Sequence, residues 1–159
     1  MEAVVRQLDS DVDYLAWGLR PASLDRLGLA AALEQFVREW SGHARVAADF
    51  HTSGFGGVSI SPEVGINLYR VAQEALNNVQ KHAAAGNVSV LLERREGHAL
   101  LIVEDDGKGF DPDAAAAGGG GIGLVNMRER ASLVGGTLEI ETVPGAGSTI
   151  FVRVPVSPA

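Results

Sequence analysis

The sequence contains no cysteine, which excludes a disulfide framework and any thiolate metal centre. It has no apolar run near the roughly 20 residues needed to span a bilayer. Residues 1–10 carry charges early and hold no signal-peptide core. Aromatic residues make up only 6% of the chain, so a core must be built from aliphatic side chains and alanine. Positive charge is scarce: 13 Lys and Arg against 20 Asp and Glu leave a formal net charge of −7. No dense Lys/Arg run is present, and a nucleic-acid surface would need one. The expectation is a cytoplasmic domain without a nucleic-acid partner and without membrane contact by this chain. The 159 residues, 46% of them hydrophobic, are enough for one compact domain with a short appendage. Glycine is frequent, at 20 residues, and many lie between Gly107 and Gly147, which points to turns and close backbone approach there.

Val5, Leu8, Val12, Leu15 and Leu19 follow alternating three- and four-residue steps, one narrow apolar stripe on a helix that Pro21 closes. Two readings fit it: an amphipathic helix packed on its own domain, or half of a helical hairpin from a dimerisation segment. A second helix is expected over residues 27–40, and a strand over 45–50 followed by a glycine-rich loop to residue 59. Ser61-Pro62-Glu63 is a helix start: a capping hydroxyl, a proline in the first turn and an acid at the positive end of the dipole. That helix should run to about His82. Strands are expected at 87–92 and 99–103 around Glu96-Gly97, then a long loop over 105–121 and a helix over 122–134 stopped by Gly135. A last hairpin, 137–141 and 149–154, turns around Pro144-Gly145-Ala146-Gly147. The order predicts an α+β fold: a two-layer sandwich with a mixed, mostly antiparallel sheet of about five strands covered on one face by helices.

Three constellations carry chemistry. Glu74, Asn78 and Lys81 fall on one side of the helix that starts at Ser61. A neutral amide oxygen at Asn78 suits Mg²⁺ beside a polyphosphate, and Lys81 suits phosphate as a point charge; a plain solvated polar face is the alternative. Val103-Glu104-Asp105-Asp106-Gly107-Lys108-Gly109 runs an apolar strand into carboxylates and glycines. An ionised carboxylate only accepts hydrogen bonds, so Asp105 can accept from the exocyclic amine of adenine, with Gly107 and Gly109 bending the backbone near a flat base. An ordinary Asp-Gly turn would look the same. Gly118-Gly119-Gly120-Gly121-Ile122-Gly123-Leu124 leads into a helix whose N–H groups can meet phosphate, or is simply a flexible linker. It is neither a Walker pattern nor a dinucleotide fingerprint.

Taken in order, these motifs resemble the Bergerat-type ATPases, the superfamily of gyrase, Hsp90, histidine kinases and MutL. Residues 74–83 look like the N-box, 105–109 like the first glycine box and 121–124 like the second. Within the superfamily, Gln73-Glu74-Ala75-Leu76 through Lys81-His82-Ala83, and Gly123-Leu124-Val125-Asn126-Met127-Arg128-Glu129-Arg130, are similar to the nitrate-sensor/DesK-like sensor histidine kinases. So are Gly135-Gly136-Thr137-Leu138 and Pro144-Gly145-Ala146-Gly147. Residues 19–29 resemble the end of that subfamily's dimerisation hairpin.

The resemblance implies residues 1–24 as the second helix of a truncated dimerisation and phosphoacceptor segment, and 25–156 as the ATP-binding catalytic domain. It implies ATP and Mg²⁺ as cofactors, Asn78 as the magnesium ligand, Asp105 as the adenine reader, and Lys81 and His82 as phosphate-side contacts. Glu74 would be the catalytic acid of the N-box; Gly107, Gly109, Gly121, Gly123 and Leu124 would shape pocket and lid. Asp106 and Asp111 are expected to face solvent. None of the four histidines, His43, His51, His82 and His98, has the His-Asp context of the family's phosphoacceptor. The chain is therefore expected to bind nucleotide without autophosphorylating. A phosphoacceptor helix, a response regulator and a homodimeric parent would be its partners, while the chain itself stays monomeric or pairs artificially. Two alternatives remain: an anti-sigma-factor-type serine kinase of the same superfamily, and a degenerate nucleotide-gated interaction module.

Overall fold

The computed structural model describes residues 22–55, 60–109 and 122–156. The apolar stripe of residues 5–19, the segment Phe110 to Gly121 and Asp111 lie outside them. Helix α1 spans Ala22–Ala44 and is interrupted at Gly28, whose φ of 82° and ψ of 172° are not helical. Glycine alone adopts such a pair readily, so the helix is two rods joined at one residue. It is longer at both ends than the 27–40 expected. Leu29, Leu33, Val37 and Trp40 are buried on its inner side, as their spacing requires.

Strand β1 (Ala47–Ser53) begins after Arg45, which takes a left-handed φ of 57° and so turns the chain out of α1. Helix α2 spans Pro62–Asn78. Its first turn is capped by the Ser61 hydroxyl, which accepts the Val64 N–H at 3.2 Å, with Pro62 at the first helical position, where no N–H is needed. Leu68, Val71, Ala72, Ala75 and Leu76 are buried along one stripe. The expected α-helix to His82 does not hold at its end. From Val79–Ala83 the chain is a π-helical turn, and Ala84 leaves it with a left-handed φ of 50°. Such turns are rare and gather at functional sites.

Strands β2 (Asn87–Arg95) and β3 (His98–Asp105) form a hairpin. Helix α3 (Ile122–Leu133) ends as read from the sequence: Gly135, at φ 74°, lets the Gly136 N–H return to the Ala131 carbonyl at 2.8 Å. Strands β4 (Thr137–Thr142) and β5 (Ser148–Pro155) close the domain. The sheet order is β1-β2-β3-β5-β4. The β1–β2 pair is parallel, with α2 as the crossover a parallel pair demands; every other pair is antiparallel. The helices cover one face. Val90, Leu92, Ala99, Leu101, Val152 and Val154 of the sheet are buried beneath Leu33, Leu68, Leu76, Met127 and Ala131. Alternate residues of β2 and β3 are buried and half-buried, so one face of the sheet holds the core. Asp105, the last residue of β3, is in register with Val88 and Ser148. It is thus on the covered side, at the end of the core.

Candidate nucleotide-binding site

The end of α2 and the start of α3 meet at one glycine. A side chain added at Gly123 would lie 2.5 Å from Glu74 Oε1, 3.3 Å from Asn78 Nδ2 and 3.4 Å from Asn78 Oδ1. Glu74 and Asn78, one helical turn apart, therefore both point at the backbone that opens α3. A methyl group there would displace the Glu74 carboxylate. Leu124 is partly buried against the core. Glu74 and Asn78 are half-buried, whereas Lys81 and His82 are exposed. The expectation that Lys81 continues the face of Glu74 and Asn78 assumed an unbroken α-helix; the wider π turn changes its phase, and the same turn carries His82.

The second half of the site is built around Asp105. Its carboxylate is buried, with 9% of the residue exposed, and its Oδ1 accepts the Gly107 N–H at 2.9 Å. Burial pushes this carboxyl above its ordinary value. The Gly107 N–H opposes that, the neighbouring Asp106 adds to it, the Ser148 N–H opposes it and Glu104 adds to it. A buried carboxylate with few donors is an acceptor in want of a partner.

The β4–β5 turn reinforces this corner. Gly109, at φ 65°, lies under the carbonyls of Val143 and Gly147, and Gly147, at φ 81°, lies against the Asp105 carbonyl. The Gly145 N–H donates to the Lys108 carbonyl. Ser148 also joins the Thr142 hydroxyl at 2.8 Å. Gly147 and Ser148 were missed as site residues in the sequence. The available signal was Gly145-x-Gly147 immediately before a strand, two glycines where a plain hairpin needs one. Asp106 is exposed as expected, yet it is held by three side-chain hydrogen bonds to Gly86 and Asn87.

An open concavity of about 290 Å³ lies at the ends of β1, β2 and β3, lined by Asp49, Asn87, Ser89, Glu104, Asp105 and Asp106 among others. It includes none of Glu74, Asn78 or Gly123, and its carboxylates would repel a polyphosphate.

Residues 63–158 match the family described as histidine kinase-, DNA gyrase B- and HSP90-like ATPase. The chain belongs to this family. Its match runs from the start of α2 through the β4–β5 hairpin, so both halves of the site fall within it. The chain is 34% identical over 157 residues to the signal transduction histidine-protein kinase/phosphatase DegS of Brevibacillus brevis, covering 99% of this chain and 40% of that protein. It is 35% identical over 161 residues to the oxygen sensor histidine kinase NreB of Staphylococcus carnosus, covering 99% of this chain and 45% of that protein. The chain thus spans less than half the length of these relatives. In fold it is similar to the histidine kinase domain of the Erythrobacter litoralis EL346 blue-light activated histidine kinase, with a TM-score of 0.69 at 20% identity over 80% of this chain and 61% of that one. It is similar also to full-length ShkA in complex with AMPPNP, with a TM-score of 0.66 at 21% identity over 83% of this chain and 30% of that one. Among the described residues no helix is long and apolar enough to cross a membrane.

Proposed function

We propose that this ATPase domain is the catalytic domain of a sensor histidine kinase. It would deliver the γ-phosphoryl group of Mg-ATP to a histidine on a separate dimerisation helix, for passage to a response-regulator aspartate. The observation that carries the reading is the junction at Gly123, where Glu74 and Asn78 converge on the backbone that opens α3. Asn78 offers a hard oxygen of the kind magnesium takes. Bound there, magnesium would neutralise charge on the phosphates.

The remaining work is done by the chain. Asp105 accepts the adenine amine and discriminates against a base with a carbonyl at that position. Gly107 and Gly109 keep the backbone clear of the base. Lys81 and His82, with Gly121 and Leu124, serve the phosphate side and its lid. Glu74, beside Asn78, orients the incoming imidazole or draws off its proton. Residues 1–24 are read as the second helix of the dimerisation and phosphoacceptor segment and 25–156 as the catalytic domain; the Gly28 break in α1 supplies a joint near that boundary. The names of the two curated relatives, both histidine kinases, favour this over a serine kinase. In this account the domain works within a cytoplasmic, homodimeric signalling protein.

Adding a phosphoacceptor helix of this subfamily to the chain tests it. With γ-labelled ATP the expected product is an acid-labile, base-stable phosphohistidine. Label appearing only as acid-stable phosphoserine would replace this reading with the serine-kinase one.

A further inference from the structure

Asp106 faces solvent, yet both oxygens of its side chain are hydrogen-bonded. One carboxylate oxygen accepts the backbone N–H groups of Gly86 and Asn87, each at 2.9 Å. The other accepts the Asn87 side-chain amide at 2.9 Å. Its own N–H donates to the Asn87 carbonyl at 3.2 Å. The β2–β3 register ends one residue earlier, at Val88 and Asp105. The side chain therefore extends a strand pair beyond the point where the ladder stops.

The two segments it joins matter. Asp106 sits between Asp105 and Gly107, whose N–H holds the Asp105 carboxylate. Gly86 and Asn87 lie just beyond the π turn that continues the Asn78 helix, after Ala84 and Ala85. Gly86 is also the point at which β1 is tied in, through the Ala47 N–H at 3.2 Å. An exposed aspartate kept only for solubility would not be spent on three donors at once. The hydrogen bonds from Asn87, side chain before backbone, hold Asp106 below the usual carboxylate range, so it stays ionised and the bonds stay charge-assisted.

We propose that Asp106 is a positioning residue of the nucleotide site. Its carboxylate clamps the chain behind Asn78 to the turn that aims Asp105, and so fixes the spacing between the magnesium-phosphate end and the adenine end. This rests on the nucleotide site proposed above.

Calorimetry with Mg-ATP and Mg-ITP on the full chain tests it, because inosine carries a carbonyl where adenine carries the amine read by Asp105. Asp106→Ala is expected to weaken ATP by about tenfold, the scale of a small misplacement, and to weaken ITP less, so that discrimination falls. Asp106→Asn keeps one oxygen for the Gly86 and Asn87 N–H groups and loses the charge that strengthens the bonds, so it should lose less affinity than Asp106→Ala. The clamp is overturned if Asp106→Ala binds ATP as tightly as the parent. Equal losses for ATP and ITP, or an Asp106→Asn variant as weak as Asp106→Ala, overturn it as well. Asp105→Ala separates the two readings. If that variant keeps its ATP affinity, the adenine site itself is wrong; if it loses affinity while Asp106→Ala does not, only the clamp is.

Discussion

At the scale of single residues, the site depends on groups held where they are least comfortable. Asp105 is buried, and burial raises its carboxyl above the ordinary value. A carboxyl whose folded value exceeds its unfolded one favours the folded state while protonated, and that contribution is lost as pH rises through the folded value. At neutral pH the ionised form is therefore a cost. Asp105→Asn should melt higher than the parent at pH 7, and the gap should close as pH is lowered through the acid range; a gap independent of pH would contradict this. Gly123 makes the opposite bargain. Gly123→Ala places a methyl against the Glu74 carboxylate and the Asn78 amide. Glu74 can swing away, and alanine gains roughly 0.5–1 kcal/mol over glycine in a helix, so the melting temperature should hold or rise. Titration of Mg-ATP should nevertheless show weaker binding. Undiminished binding would mean that the two side chains do not act at that junction.

At the scale of elements, the ends of helices and hairpins do the positioning. Ser61→Ala removes the hydroxyl that caps α2 and should cost about 1 kcal/mol, read as a lower urea midpoint with an unchanged slope. Gly147→Ala meets both a left-handed φ and the Asp105 carbonyl. It should cost about 1–3 kcal/mol and weaken nucleotide binding, since the β4–β5 turn buttresses the first glycine box. A variant as stable as the parent would show that the turn has slack. These elements were legible in the sequence to different degrees. The start of α2 and the end of α3 are written locally, in Ser61-Pro62-Glu63 and in Gly135. The π turn is not, because over five residues its period differs too little from that of an α-helix to mark Val79–Ala83. The buttress of Gly147 on Asp105 joins residues far apart in the chain, and no local pattern encodes it.

At the scale of the whole molecule, the fold follows from element order and alternation, and the sheet of five strands with helices on one face is what that order predicts. The parallel pair, β1 with β2, follows from the helix between them. The candidate site was legible as types in sequence, Glu74 and Asn78, then Asp105, then Gly123; that a side chain at Gly123 would meet the first two needed three dimensions. Leu76, fully buried at the α2–sheet contact, ties core to site: Leu76→Ala should cost about 2–5 kcal/mol. If the fold holds the nucleotide as proposed, Mg-ATP should recover part of that loss, since a ligand that binds only the folded state stabilises it. The most direct test of the central claim is calorimetric titration of Mg-ATP into the parent chain and into Asp105→Ala. The account predicts saturable binding to the parent and binding at least about tenfold weaker in the variant, the scale of a lost hydrogen bond to a charged acceptor. Equal affinity in the two proteins, or no binding to the parent, would contradict it.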